Sequence, residues 1–452
     1  MSIVTAPPVP EYSSPTFDDA FAPDGTVRPH ARGVIDLVRA RDPGVLGREL
    51  RGALRKQGIR FESVDGDDTW HVDPVPRVIP ADEWEPMAAG LGQRVRALNA
   101  FVADVYGERR IVAEGVMPAR VLDTAEGFEP AMSGVVPPDG VWTAVGGLDV
   151  VRDHRGTWMV LEDNVRTPSG IGYWIAAREA TLALLQPDPA PHPIEAAATA
   201  LRNVLGPGNA IVLTDGQENS AYWEHAFLAE RMDIPLAVPA DLEVRSDRFH
   251  LGGMPVDAIY RRTDSDEVDS TVGTLLQPVV AAGGVKLVNC LGTGIADDKL
   301  VHAYVQDMIR FYLDETPLLE QVETFDLGVP ATLERALDVF DELVIKDRGS
   351  YGGIGVFIAP HAERKDVEAM RAKVTDAPED YVAQRLVRLS THPTEIDGVL
   401  APRHVDLRPF VLMTAPDDSS VLPGGMTRVA LDEGALVVNS SQNGGAKDTW
   451  II

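Results

Sequence analysis

Apolar residues along the first third of the chain recur at two different periods. Between Val34 and Gly58, the residues Val34, Leu37, Val38, Leu46, Leu50 and Leu54 stand at helical spacing, and the stretch is predicted helical. Ala81 to Gly107 is a longer amphipathic run, and Asp82 and Glu83 at its start suit the positive end of a helix dipole. Short strands are expected at 60–64 and 70–74, and the Pro-, Ser- and Asp-rich residues before about 30 read as an extended arm. Two apolar runs, 141–153 and 157–164, meet at Asp153-His154-Arg155-Gly156, which predicts a β-hairpin. A helix follows at 176–186, and the proline-rich segment 187–193 marks a boundary.

Residues 196–290 then alternate strand and helix. Strands are expected at 209–216, 234–239, 256–262 and 285–290, with a helix at 220–233 capped by Ser220. That order argues for a parallel α/β sheet, which gathers ligands at the carboxyl ends of its strands. Further helices are predicted at 297–315, 331–343 and 363–376, and a strand, glycine loop and strand at 342–360. A strand at 380–387 and meandering antiparallel strands from 403 to 441 complete the pattern.

The chain has 452 residues, 44% hydrophobic and 24% charged, enough for about two or three packed units. Its 41 Lys and Arg face 69 Asp and Glu, a formal charge of -28. That field repels a polyanion, and no basic run relieves it, so nucleic acid is not an expected partner. A nucleotide is not excluded, because Mg²⁺ and a few aimed lysines overcome the mean field locally. The single cysteine, Cys290, rules out an intrachain disulfide and a cysteine metal cage. The first residues lack a secretory pattern, and no apolar run reaches bilayer length. A soluble cytoplasmic protein is the expectation.

Several constellations carry chemistry. On a strand, Glu162 and Asn164 project together while Asp163 points away, and a hairpin brings Asp149 beside them. The trio is either a solvated strand end or a hard-oxygen site suited to Mg²⁺ held jointly with nucleotide phosphates. The strand Val344-Ile345-Lys346 delivers a lysine to a loop containing Gly349, Ser350, Gly352, Gly353 and Gly355. Such a loop either turns a hairpin or cradles phosphate on its exposed N–H groups; it is neither a Walker A nor a GxGxxG motif. Lys299 alone reads as a surface lysine. Arg166, just past the metal candidates, is an exposed loop arginine or a bidentate clamp for phosphate or carboxylate. Arg261 and Arg262 end a buried strand on opposite faces, and Arg262 is the one expected to reach the crevice. Glu218, Asn219 and Ser220 lie at a strand-to-helix turn, where a helix N-terminus favours an anion. His404, Asp406 and Arg408 share one strand face, with Arg403 on the other, as a solvated row or a site. The 439–447 tail reads as a Ser/Gly/Asn loop with one lysine, on the surface or closing on phosphate.

Taken together, these strings resemble the ATP-grasp ligases, in their circularly permuted branch. The resemblance runs nearly end to end, carried by 146–174, 219–232, 256–262, 296–310, 344–358, 389–411 and 438–450. In such ligases the glycine loop normally precedes the metal ligands; here the acidic trio comes first, the order a circular permutation produces. The characterised members most similar in logic are the glutathionylspermidine synthetases, which join a glycyl carboxylate to a polyamine.

The resemblance implies a mixed α/β (α+β) fold with an inserted Rossmann-like domain and antiparallel sheets flanking the nucleotide cleft. Residues 1–195 would hold the N-terminal part of the core and the metal ligands, 196–295 the Rossmann-like domain, 296–390 the ATP-binding lobe, and 391–452 the strands completing the core. It also implies roles. Asp149, Glu162 and Asn164 match the Mg²⁺ ligands, Lys299 and Lys346 the lysines bracketing the ATP phosphates, and Gly349 to Gly355 the lid. Gln384 falls where the hinge reads adenine. Arg166, Lys346 and Arg408 are assigned to the chemistry, and Glu218, Asn219, Ser220, Arg262, Arg403 and Asp406 to the substrates. Lys346-Asp347-Arg348 departs from the Lys-Pro common in the family. The activity implied is amide formation between a carboxylate and an amine through an acyl phosphate. An ATP-binding regulatory module and a small-molecule phosphotransferase are the alternatives. Neither the two substrates nor the oligomeric state is written in the sequence.

Overall fold

In the computed structural model, which describes residues 12–59, 70–188, 190–263, 267–348, 355–435, 438 and 444–452, the turn at Asp153 closes a hairpin. Asp149–Arg152 pairs antiparallel with Trp158–Glu162. The Asp153 carboxylate accepts the N–H groups of Arg155 and Thr157, and Gly156 supplies the left-handed conformation, φ +90°. Strands remote in sequence extend the hairpin on both sides. Glu320–Gln321 runs parallel beside the second strand, and Asp406–Leu407 antiparallel beside the first. Early and late parts of the chain therefore share one sheet.

A second sheet orders Thr324–Asp326, Tyr381–Arg385, Leu343–Asp347 and Val356–Ile358, antiparallel throughout. Alternation divides its faces. Leu343, Ile345 and Ala383 turn to the helices Pro330–Asp338 and Arg364–Asp376 and form a core of their own. Val344, Lys346 and Gln384 lie on the opposite face, which looks at the hairpin: Gln384 donates to the Leu161 carbonyl.

The expected α/β segment is a parallel sheet in the order Lys286–Val288, Ala258–Arg262, Ala210–Thr214, Leu236–Ala237. It also carries a three-stranded meander, Leu242–Arg245, Arg248–Leu251 and Met254–Val256, that the pattern did not announce. Mostly exposed strands lack the apolar alternation by which a strand is read. The helix Ala81–Val105 runs through the main core, burying Leu91, Val95, Leu98, Phe101 and Val102 completely against Val305–Leu313 and Asp418–Val421. At about 1.5–3 kcal/mol per large buried side chain, this stripe is a principal anchor of the fold.

Local polar chemistry overrode the periodic pattern in several places. The expected 34–58 helix is two, Arg32–Ala40 and Pro43–Lys56, because Asp42 adopts φ 65° and its side chain caps Val45 N ahead of Pro43. The 297–315 helix begins only at Val305, preceded by 3-10 turns. There Asp298 accepts Leu300 N, and Asp297 reaches out to Val165 N instead of capping its own helix. Around 70–74 only a single bridge forms, Val72 to Ala446, since Pro74 and Pro76 cannot donate; the strand is Arg77–Ile79. The strand expected at 60–64 lies outside the described residues. The helix after 210–214 is Tyr222–Arg231 with Ala221 rather than Ser220 at its N-cap, because Asn219 takes Ala221 N. Lys447 is no loop lysine: it lies in the buried strand Gly445–Ile451, paired with Asp73. No helix among the described residues is long and apolar enough to cross a membrane.

Candidate active site in the cleft between the hairpin and the lobe sheet

Asp149 and Glu162 face each other across the hairpin, with an irregularity in register between Asp149 and Val150. Such a bulge re-aims side chains at a sheet end. Asp149 is buried, and its carboxylate accepts Nε and Nη2 of Arg408 at 2.7 and 2.9 Å. Arg428 approaches it at 2.8 Å and bonds Asp406 at 2.5 Å. Burial would raise the Asp149 pKa, but Arg408 and Arg428 overcome it and hold the carboxyl at about 2. Asp406 goes the other way: burial lifts it above the ordinary range despite Arg428. Asp406 and Arg408 thus belong to one network with Asp149. Arg403 turns away to the Leu431 and Pro402 carbonyls, and His404 to Ser390 O.

Asp163, between the two metal candidates, points into the core as alternation requires. Arg94 grips it through two bonds of 2.6 and 2.7 Å, and His302 lies 2.7 Å away. Burial opposes its charge, yet Arg94 and His302 hold the carboxyl well below the usual range. This buried cluster sets the orientation of Glu162 and Asn164 on either side. Both are half-buried, and among the described residues no hydrogen bond engages the Glu162 carboxylate. The Asn164 amide has a buried nitrogen with no partner there, and rotation exchanges it with the oxygen. No trio of His, Cys, Asp or Glu among the described residues gathers closely enough to hold a metal by itself. Asp149 spends most of its lone pairs on guanidinium groups, so any ion here would rely chiefly on Glu162, an amide and ligand oxygens, with Asp149 as a minor donor.

Lys346 enters from the lobe sheet. Its proton affinity is lowered first by burial; Glu162 then pulls it up, Lys299 pushes it down and Asp149 pulls it up. Glu162, Lys299 and Asp149 therefore each lie within electrostatic reach of Lys346, although Asp149 and Lys346 are remote in sequence. Gln384 donates to Leu161 O and Thr324 Oγ1, leaving a buried Oε1 without a partner among the described residues. Gly349, Ser350, Gly352 and Gly353 lie outside the described residues. Asp347 N bonds Gly355 O and closes the base of that loop.

Arg166 sits on a loop held from three sides. Asp297 accepts Val165 N at 2.6 Å and Arg166 N at 3.2 Å; its carboxyl is pushed up to about 8 by burial, with Glu162 adding to the effect. Both arginines of the 258–262 strand reach this loop. Arg261 bonds Arg166 O, and Arg262 bonds Thr167 O and Pro168 O at 3.1 and 2.8 Å and Glu224 at 3.3 Å. Strand alternation separates their Cβ atoms, but long side chains at a strand end converge on whatever backbone lies above. Arg262 therefore shapes the loop with donors that a substrate would otherwise use. Glu224 also caps Gly170 N and Gly172 N at the start of helix Ile171–Leu185. Glu218 and Ser220 are exposed, and Asn219 is folded inward onto Asp215. None of these three is bonded to the Asp149–Lys346 group among the described residues. Arg428, Arg94, Asp297 and Glu224 escaped the sequence reading. For Arg428 the signal was present, a lone arginine in the apolar run around Met426–Ala430.

The family described as circularly permuted ATP-grasp type 2 matches residues 76–430. A Mycobacterium tuberculosis protein described as uncharacterized is 41% identical, covering 96% of this chain and 84% of its own length. A Synechocystis protein so described is 38% identical over 96% of this chain and 97% of its own. A Frankia casuarinae protein named putative glutamate–cysteine ligase is 40% identical over 99% of this chain, which spans only 55% of that protein. A glutathione synthetase-like effector from Globodera pallida, solved in apo form, superposes with a TM-score of 0.61 at 11% identity, covering 91% of this chain and 98% of its own. The family match spans most of the sequence and relatives align along nearly all of it; the chain belongs to the circularly permuted ATP-grasp family, type 2.

Proposed function

We propose that the chain is an ATP-dependent ligase that joins a small-molecule or peptide carboxylate to an amine through an acyl phosphate, releasing ADP. What carries this reading is that the lobe strand bearing Lys346 faces the hairpin bearing Asp149 and Glu162, with Gln384 bonding Leu161 O and Arg348 bonding Asp298 beside Lys299. Two lysines facing a carboxylate–amide set is the arrangement a magnesium-bound triphosphate needs. Glu162 and Asn164 would hold Mg²⁺, with Asp149 as third member through lone pairs not taken by Arg408 and Arg428. When bound, the ion would draw charge from the phosphate oxygens. Lys346, whose hold on its proton is loosened by burial, would have that hold strengthened by an anionic phosphate beside it, and so would offset charge on the transferred group. Gln384 Oε1 would accept from adenine. Arg408, oriented by Asp149, and Arg166 would position the substrate carboxylate, with the exposed Glu218–Ser220 turn at the rim for the amine-bearing partner. The name of the Frankia relative also supports a ligase.

The test is ADP release coupled to a screen of acids and amines, with the amide product identified by mass spectrometry. Lys346→Ala should abolish turnover and leave the circular dichroism spectrum unchanged. Magnesium-dependent ATP binding without ADP across the screen would point to a binding module. ADP with a phosphorylated product and no amide would make the protein a phosphotransferase.

A further inference from the structure

We propose that the Arg348–Asp298 ion pair is a positioning device that holds Lys299 and Lys346 together, so that they meet a polyphosphate as one preformed pair. The inference rests on the ligase reading of the cleft.

Arg348 lies two positions beyond Lys346, in the turn that directly follows its strand. Its Nε donates to both Asp298 oxygens, at 3.0 and 3.1 Å, and Nη2 donates to Val121 O at 2.8 Å. A further bond reaches Thr124 Oγ1. Both members of the pair are 8% exposed. Asp298 immediately precedes Lys299, and its Oδ1 also accepts Leu300 N at 2.8 Å, which fixes the turn carrying that lysine. At the other end, Arg348 N bonds Asp380 O at 3.0 Å and anchors the guanidinium to the lobe sheet. One short path, strand to Arg348 to Asp298 to Lys299, therefore spans the cleft.

The two lysines repel each other, since Lys299 weakens the hold of Lys346 on its proton. A tie between the elements that carry them limits how far that repulsion can spread them. The pair opposes that repulsion and prepays part of the ordering that binding would otherwise require. Docking of the lobe as a whole has an independent contact, Arg120 to Asp326 at 2.5 Å, with Tyr304 on the same carboxylate. Loss of the Arg348–Asp298 pair should therefore alter the spacing of the lysines and leave the lobe attached.

Isothermal titration calorimetry with magnesium ATP and with AMP tests this on wild type, Arg348→Met, Asp298→Asn and the double variant. Each single change should weaken ATP about tenfold or more, and the double should be no weaker than the worse single. AMP lacks the outer phosphates and should shift less than about twofold, because the lysines act on the outer phosphates alone. Arg348→Lys, which keeps charge without the fork, should fall between. Unchanged ATP affinity, equal loss for ATP and AMP, or additive single effects would each overturn the proposal. If Arg348→Met does not fold, the near-isosteric Asp298→Asn carries the same comparison. Failure of the wild type to bind ATP would remove the ligase reading and the clamp together. ATP binding by the wild type with unaffected variants would remove the clamp alone.

Discussion

Changing Asp149 to asparagine keeps the shape of the side chain and removes the charge on which Arg408 and Arg428 converge. In the native protein this carboxyl sits at about 2 against an ordinary 3.8. At about 1.4 kcal/mol per tenfold change in proton affinity, the pairing is linked to roughly 2 kcal/mol of stability. A depressed acid contributes that stability above its unfolded pKa, near 3.8, and loses it as pH falls through about 2. Asp149→Asn should thus cost about 2–4 kcal/mol at pH 7, the upper figure reflecting the largely covered Arg408 left without a counter-charge while Arg428 keeps Asp406. Urea denaturation between pH 7 and pH 2 reads both quantities. The wild-type midpoint should drop more steeply below pH 4 than that of the variant. Glu162→Gln is the contrasting change. It removes a carboxylate with no hydrogen bond among the described residues, so stability should move less than about 0.5 kcal/mol while magnesium-dependent ATP binding falls. An Asp149→Asn protein with wild-type urea midpoints, or with the same acid profile, would refute the claim that the guanidinium pairs hold the 149 strand to 406–408.

Three other outcomes follow from the same geometry. Arg94→Met strands Asp163 without its main counter-charge in the core and should cost about 3–5 kcal/mol by urea denaturation, whereas Asp163→Asn/Arg94→Met together should cost less than the two singles added. Asp297 has a raised pKa, about 8, so the native state keeps a proton the unfolded chain releases and loses stability as pH rises from about 4 to 8. Asp297→Asn should flatten that alkaline loss in midpoints measured from pH 5 to 9. Gly170 has φ +119°, and an added Cβ would lie 3.1 Å from Met426 Cε and 3.2 Å from Phe410 Cζ; Gly170→Ala should lower stability by about 1–3 kcal/mol in the same assay.

Much of the site was legible before any coordinates. Strand alternation separated Glu162 and Asn164 from Asp163, the Asp153–Gly156 turn announced the hairpin, and strand spacing put Asp406 and Arg408 in one network apart from Arg403, although His404, expected beside them, turns to Ser390 O. These are properties of a backbone with period two and of local turn chemistry, and both are written in neighbouring residues. The Ser220 cap, the unbroken 34–58 helix and the loop placement of Lys447 were misread. In each, a single polar side chain, or a partner far along the chain, outweighed the local pattern.

The amino-acid order was sufficient for most of the elements, the parallel unit and the residue types able to meet a nucleotide. It could not say which charges neutralise which. Arg428 beside Asp149, Arg94 beside Asp163 and Arg348 beside Asp298 are pairings across 279, 69 and 50 positions. An ion pair is decided by distance and dielectric, and those exist only once the hairpin, the lobe and the late strands have packed around one cleft.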